Sequence, residues 1–508
     1  MDISKIRHID EISQHGPFES GVAIQKGHMG DPGKILESIH EAIVKTGLKD
    51  GMTISFHHHF RNGDYIVNMV LDEIARMGIK NLTVAASSLA SCHAPMVEHI
   101  KNGVVTHIET SGMRGELAEQ ISRGLMDFPV VFRSHGGRAA AIARGELHID
   151  VAFLGAPSCD PLGNANGYIR EEEGGTMCGS LGYAKVDAQY ADKVVIITDN
   201  LVPYPNTPFG IPAVQVDYIV PVENIGDPGG IMSGATRYTK NPKELLIAKA
   251  AADVIMNSGY FYDGFAMQMG SGGASLATVR FLRERMEQEN IHAHFALGGI
   301  TGQIVEMHEE GLIDKILDVQ SFDLQAAKSL KDNRFHAQID GCFYAGYDDN
   351  GAAVNALDFV VLSALEIDTD FNVNVLTGSD GVIRGAIGGH PDTAAGASLS
   401  VVVGPLTRGR IPTVVDKVNT VVTPGSIVDV FVTEQGIAVN PRRQDIIEKM
   451  EAAGIELTDI ETLRERAEKI VGKPDPIKYL DRVVGVVLYR DNTVIDQVKQ
   501  IDESDLTE

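Results

Sequence analysis

Residues 150–166 read DVAFLGAPSCDPLGNAN, and residues 358–374 read DFVVLSALEIDTDFNVN. At a displacement of 208 residues and without a gap, Asp150 meets Asp358, Leu154 meets Leu362, Ala156 meets Ala364 and Asp160 meets Asp368. Asn164 and Asn166 then fall on Asn372 and Asn374. In each block a short apolar run precedes a polar stretch rich in turn-forming Asp and Asn, the signature of a buried strand leaving its sheet. A fixed displacement between two such blocks is the mark of an internal repeat.

Displacements of 208 to 213 residues recur upstream of these blocks. Asp50-Gly51 returns as Asp263-Gly264, and Val97-Glu98 leading to Gly103 returns as Val305-Glu306 leading to Gly311. Asp31-Pro32 followed by KIL returns as Asn241-Pro242 followed by KELL, in each case a capping side chain before a proline at the start of a helix. The chain of 508 residues is therefore read as a duplication, with domains at 1–228 and 229–508 and a seam near IGDPGG (225–230). Runs such as VAFLG, KVVIIT, FVVLS and LSVVV lack polar alternation and are separated by helical patterns. They predict mainly parallel α/β sheets flanked by helices. The charged tail from about 441 reads as helices, and its VVGVVLYR run (483–490) as a strand docking on the second domain.

Composition narrows the function classes. Lys and Arg number 44 against 69 Asp and Glu, a net charge of -25, which argues against nucleic acid or an anionic membrane as partner. The four cysteines, Cys92, Cys159, Cys178 and Cys342, are scattered and form no C-x-x-C pair, so a reducing cytoplasm is expected. The opening MDISKIRHIDE carries charges where a signal peptide needs an apolar run, and no transmembrane stretch is expected.

The strongest site signal is FAMQMGSGGASLATVRFLRERM (265–286). A strand ends at Met269, Gly270, Ser271, Gly272 and Gly273 follow, and a helix begins, so close backbone approach is combined with unpaired helix N–H groups. Ser275 stands where a full dinucleotide fingerprint needs its last glycine. Gly298 and Gly299 in FALGGITGQ, and Gly378 and Gly381 in LTGSDGVIRGAIGGHPD, offer further amides as oxyanion donors. Glu366 lies in an apolar run where its repeat counterpart is Ser158, so the shared fold does not require the acid. Arg384 and His390 are candidates for substrate carboxylates, with Arg408 and Arg410 behind them. His57, His58 and His59 lack a completing acid or cysteine at metal-ligand spacing, and no metal site is expected.

These strings, together with GRIPTVVDKVNTVVTPGS (409–426) and GIAVNP (436–441), resemble the alpha subunits of citrate lyase, which are citrate CoA-transferases. The resemblance implies two tandem CoA-transferase-like domains. It implies exchange of acetate for citrate on a thioester, with acetyl-CoA as a substitute donor. The thioester is carried by the phosphoribosyl-dephospho-CoA arm of a gamma acyl carrier subunit, and a beta subunit completes a hetero-oligomer. Many related CoA-transferases carry a glutamate nucleophile at the position that falls here on Gly302-Gln303. The resemblance adds Gln303 to Glu366, which the residues themselves single out, as the catalytic candidates, and implies direct attack of citrate on the thioester. A transferase for another acid such as malonate, or a non-catalytic scaffold, are the alternatives.

Overall fold

The computed structural model describes residues 33–169, 177–232 and 239–502. Seven strands of the first half are β1 (Thr53–Phe56), β2 (Leu82–Ala86), β3 (Val105–Thr110), β4 (Val130–Phe132), β5 (Val151–Gly155), β6 (Lys193–Thr198) and β7 (Tyr218–Pro221). The second half supplies β8 (Phe265–Met269), β9 (Ala293–Ile300), β10 (Ile313–Ser321), β11 (His336–Gln338), β12 (Phe359–Ser363), β13 (Leu399–Val403), β14 (Val430–Thr433) and β15 (Gly436–Val439). The chain ends in a hairpin of β16 (Tyr479–Leu488) and β17 (Val494–Ile501).

The first sheet runs β17-β16-β4-β3-β2-β1-β5-β6-β7, and the second β11-β10-β9-β8-β12-β13-β14-β15. The order 4-3-2-1-5-6-7 in one is repeated as 11-10-9-8-12-13-14 in the other. Pairing is parallel throughout, except β16 with β17 and β14 with β15. Parallel sheets bury both faces, which is why β5 and β13 are buried along their full length and read as unbroken apolar runs.

The repeated polar residues do the same work twice. Asp150 accepts the Thr53 amide at 2.7 Å, and Asp358 accepts the Ala266 amide at 2.8 Å, each fastening the first strand of its half. Asp160 accepts the amide of Asn164 at 3.1 Å and its side-chain Nδ2 at 2.7 Å; Asp368 holds Asn372 by the same pair of atoms at 2.8 and 3.1 Å. Asn164 Oδ1 then accepts the Ala213 amide and Asn372 Oδ1 the Gly425 amide, both at 2.9 Å. The pattern is a turn scaffold, and any apolar replacement would leave buried amides unpaired. Asn241 caps the helix Pro242–Asn257 by accepting from the Lys243 amide at 3.0 Å, while its repeat partner Asp31-Pro32 lies outside the described residues.

The tail corrects the reading of the sequence. Its helices Gln444–Ala452 and Ile460–Val471 do pack on the second half, through Ile446, Met450 and Leu463. The hairpin instead crosses to the first sheet, where Gly485, Val486 and Val487 pair with Val130, Val131 and Phe132 of β4. A buried β4 would otherwise expose an open edge, and Gly485 gives the Phe132 ring room.

Both halves lie within one unit spanning Lys34–Glu508, and glycines set the closeness of their contact. A Cβ on Gly112 would stand 2.3 Å from Ala386 Cα, one on Gly136 2.1 Å from the Ala345 carbonyl oxygen, and one on Gly182 2.4 Å from that of Val319. Backbone hydrogen bonds cross at the same places, from Met113 to Gly385, Ile387 to Ser111 and His135 to Gly388. Among the described residues no helix is long and apolar enough to cross a membrane.

Candidate active site

A cleft of about 780 Å³ opens between the halves, at the carboxyl ends of β1, β8, β10 and β12. In a parallel α/β sheet that end gathers the loops, and here two sheets contribute to one crevice.

From the second half comes the glycine loop. Gly270 donates its amide to the Val361 carbonyl at 2.7 Å, laying the loop flush on β12. A Cβ on Gly272 would meet Ser363 Oγ at 2.4 Å. The helix Gly273–Glu289 starts there with no side-chain cap, so its first amides are left for a ligand. Ser275 Oγ and Ser363 Oγ lie 2.8 Å apart beneath it. Gly270, Ser271, Gly272, Gly273 and Gly299 all line the cleft. Gly299 is required by space: its Cβ would sit 2.0 Å from the Phe322 ring.

From the first half come residues that the sequence reading missed. Arg61 stands with its guanidinium carbon 4.8 Å from the Phe322 centroid and donates to the Ile231 carbonyl at 3.1 Å. Arg114 lines the same cleft, and among the described residues its guanidinium has no hydrogen-bond or ion-pair partner. Burial, with the Arg114 charge beside it, lowers Arg61 to about 10, and burial lowers Arg114 too, so both stay charged at neutral pH. Two half-buried cations, with no acid lining the cleft among the described residues, make a receptor for carboxylate. Around them the rings of His58, His135 and Tyr183 form a stack, with His58 to Tyr183 centroids 5.5 Å apart and His135 to Tyr183 4.3 Å. Burial, then the Arg138 charge, drops His135 to about 3, and burial followed by the His135 charge holds His58 well below its ordinary value, so both rings are neutral. The signal for Arg61 was available: HHHFRNGD occupies in the first half the place of the glycine loop in the second. The other two histidines turn elsewhere, His57 to the Gly155 carbonyl at 2.9 Å and His59 to that of Ile225 at 3.3 Å.

Several candidates are placed elsewhere or in other roles. His390 lines the cleft, but its Nε2 donates to the Ser363 carbonyl at 3.1 Å and its Nδ1 accepts from Thr423 Oγ1 at 2.6 Å. Burial lowers it to about 4; it is a neutral strut and not a cation for substrate. Arg384 is surface-exposed and paired with Asp380, outside the cleft lining. Gly378 and Gly381 form the turn beside it, their amides spent on the carbonyls of Val382 and Gly378. Gly298 sits at a bulge with φ +100°, where its missing side chain makes room for Gln268. Gln303 faces a surface groove between the helices Gly273–Glu289 and Gly302–Glu309. Glu366, 2% exposed, accepts from Asn374 Nδ2 at 2.9 Å and Asn419 Nδ2 at 3.2 Å, and burial raises its pKa. It replaces Ser158 as a buried acceptor, since that hydroxyl accepts from Asn206 Nδ2 at 3.1 Å. Arg408 donates to the Leu365 carbonyl next to it, and Arg410 is exposed.

Known proteins match nearly the whole chain. The family model "Citrate lyase, alpha subunit" matches residues 32–501. The citrate lyase alpha chain of Escherichia coli (strain K12) is 60% identical over 470 residues, covering 92% of this chain and 91% of its own length. A crystal structure of the putative alpha subunit of citrate lyase in complex with citrate, from Streptococcus mutans, is 61% identical, covers 94% of this chain and 92% of that one, and superposes with a TM-score of 0.90. A 4-hydroxybutyrate CoA-transferase from Porphyromonas gingivalis, 18% identical, covers 86% of this chain and 97% of its own with a TM-score of 0.54, a likeness of fold alone. The chain belongs to the citrate lyase alpha-subunit family, and is by that membership the transferase component of a citrate lyase complex.

Proposed function

We propose that the cleft exchanges acetate for citrate on a carrier thioester by direct attack, with no enzyme-bound acyl intermediate. The observation that carries this is the composition of the lining: among the described residues it holds neither Asp nor Glu, and Gln303 and Glu366 are not part of it. A covalent route needs an enzyme carboxylate at the thioester, and the chemistry of the lining favours a substrate carboxylate in that role.

A citrate carboxylate oxygen bonds to the acetyl carbonyl carbon, the C–S bond breaks, and the carrier leaves as thiolate with a mixed acetyl-citryl anhydride beside it. The thiolate then attacks the citryl carbonyl, releasing acetate and leaving citryl thioester. Arg61 and Arg114 hold citrate carboxylates, and amides at the start of the helix Gly273–Glu289 receive the oxyanion. One such donor is worth about 3–4 kcal/mol in acyl-transfer sites. Holding both acyl partners in one cleft adds proximity. The thioester belongs to the phosphoribosyl-dephospho-CoA arm of a gamma acyl carrier subunit, with acetyl-CoA as a substitute, and a beta subunit takes the citryl product.

The test pairs kinetics with trapping. Initial rates with acetyl-CoA and citrate should give intersecting patterns, and mass spectrometry after borohydride should find no modified carboxylate; parallel lines or a trapped glutamyl thioester would overturn direct transfer. A panel of citrate, malonate and acetate fixes the acid used.

A further inference from the structure

Gln320, the penultimate residue of β10, stands opposite Gly299 of β9, 8% exposed, and lines the cleft beside Phe322. Its Oε1 lies 2.9 Å from Nε2 of His58, which belongs to the other half of the molecule. Behind that ring, Ser87 Oγ lies 2.5 Å from His58 Nδ1 and accepts the His58 backbone amide at 3.1 Å.

Proton accounting along this chain fixes each group. Ser87 Oγ accepts the His58 backbone N–H, and its one hydrogen finds an acceptor among the described residues only when it points to His58 Nδ1. A neutral ring that accepts at Nδ1 carries its hydrogen on Nε2, and donates it to the Gln320 carbonyl oxygen. Turning the amide over would require the other tautomer, with Ser87 Oγ accepting both N–H groups of His58 and its own hydrogen left without an acceptor among the described residues. Gln320 Nε2 has no partner among the described residues, and the orientation leaves it toward the cleft that Arg61 and Arg114 also line.

We propose that Gln320 is a substrate-binding residue whose Nε2–H donates to a carboxylate oxygen of the acid substrate, with His58 and Ser87 as positioning residues that lock the amide. This rests on the carboxylate-receptor reading of the cleft. It adds a neutral donor from the second half to the two guanidinium groups from the first. The serine and histidine come from one half and the glutamine from the other, so only the assembled cleft presents this donor.

The experiment measures KM for the acid that the wild-type protein uses best, drawn from the panel above, across pH 5.5 to 8, for wild type and Gln320→Glu. The introduced carboxyl keeps the acceptor for His58 and replaces the donor with negative charge. Its KM should rise at least tenfold at pH 7.5 while kcat changes less, and the ratio to wild type should shrink toward pH 5.5 as the carboxyl protonates and donates again. Ser87→Ala, which frees the tautomer and leaves Gln320 intact, should raise KM about threefold or more. A KM ratio near one at pH 7.5, or a raised ratio flat across the range, would overturn the proposal. If the wild type uses an acid other than citrate, the citrate reading fails, while the same ratio measured with that acid still decides the role of Gln320. Circular dichroism and melting temperature confirm folding; should Gln320→Glu not fold, an unchanged KM in Ser87→Ala would itself overturn the proposed lock.

Discussion

At the residue scale, what separates a binding cation from an ordinary one is whether a carboxylate of the protein already holds it. Arg384 has Asp380, whereas Arg114 has no such partner among the described residues. Arg114→Ala is expected to raise KM for citrate at least tenfold with little change in melting temperature, because it removes a charge that stabilises nothing within the fold. Arg384→Ala should leave kcat/KM within about twofold, an exposed pair contributing about 1 kcal/mol or less. Steady-state assays of the two variants side by side check both, and an Arg384→Ala defect as large as that of Arg114→Ala would move the carboxylate site to the 376–392 loop. This contrast was not legible in the sequence. IRGAIGGH and SGMRGE each offer an arginine among glycines, and only the folded neighbours show that one is paired and the other is not. Glu366 shows the same limit: an acid in an apolar run is unusual, but the amides that satisfy it, Asn374 and Asn419, are recognisable only once the turns close.

At the scale of elements, the repeat exposed most of the fold. The near-equal displacements of the Asp, Asn and Gly markers anticipated one sheet order used twice, because those residues fasten strands and turns in both halves. The terminal hairpin escaped, since VVGVVLYR is equally suited to any open parallel edge and only topology chooses β4. The glycine loops also differ in kind: Gly272 and Gly299 exist to let neighbours close in, while Gly381, at φ +77°, serves a turn. Gly299→Ala is therefore expected to be the more damaging change. Its Cβ must displace Phe322, on which Arg61 rests, so kcat/KM should fall at least tenfold. Overpacking of this sort costs about 1–3 kcal/mol, visible as a lowered melting temperature. A variant that loses stability but keeps kcat/KM would detach Phe322 from the positioning of Arg61.

At the scale of the whole molecule, the many buried histidines tie stability to pH. Burial, with the His59 charge next, lowers His57 to about 4; burial lowers His390 to about 4, and His135 lies at about 3. Each folded value is below the unfolded one near 6.5, so the unfolded chain binds protons that the folded chain refuses. Their contribution is complete above pH 6.5 and is lost as pH falls from there toward 4, by about 1.4 kcal/mol per pH unit for each histidine. Asp392, raised to about 6 by burial, acts oppositely and offsets one of them between pH 6 and 4. His93 supplies the alkaline arm. Burial opposes its charge, but the hydrogen bonds to Asp64 and Cys92 and the Asp64 charge overcome it and raise it to about 9, with Asp64 Oδ2 3.0 Å from its Nε2. A folded value above the unfolded one gives stability that is full below pH 6.5 and is lost as pH rises through 9. Melting temperature should therefore peak between about pH 6 and 7 and fall on both sides. In His93→Asn the level will drop because Asp64 loses its partner, yet the diagnostic is the slope: the decline between pH 6.5 and 9 should flatten while the acid-side decline stays. Scanning calorimetry across pH 5 to 9.5 reads both arms, and an alkaline slope unchanged in His93→Asn would assign that arm to other groups.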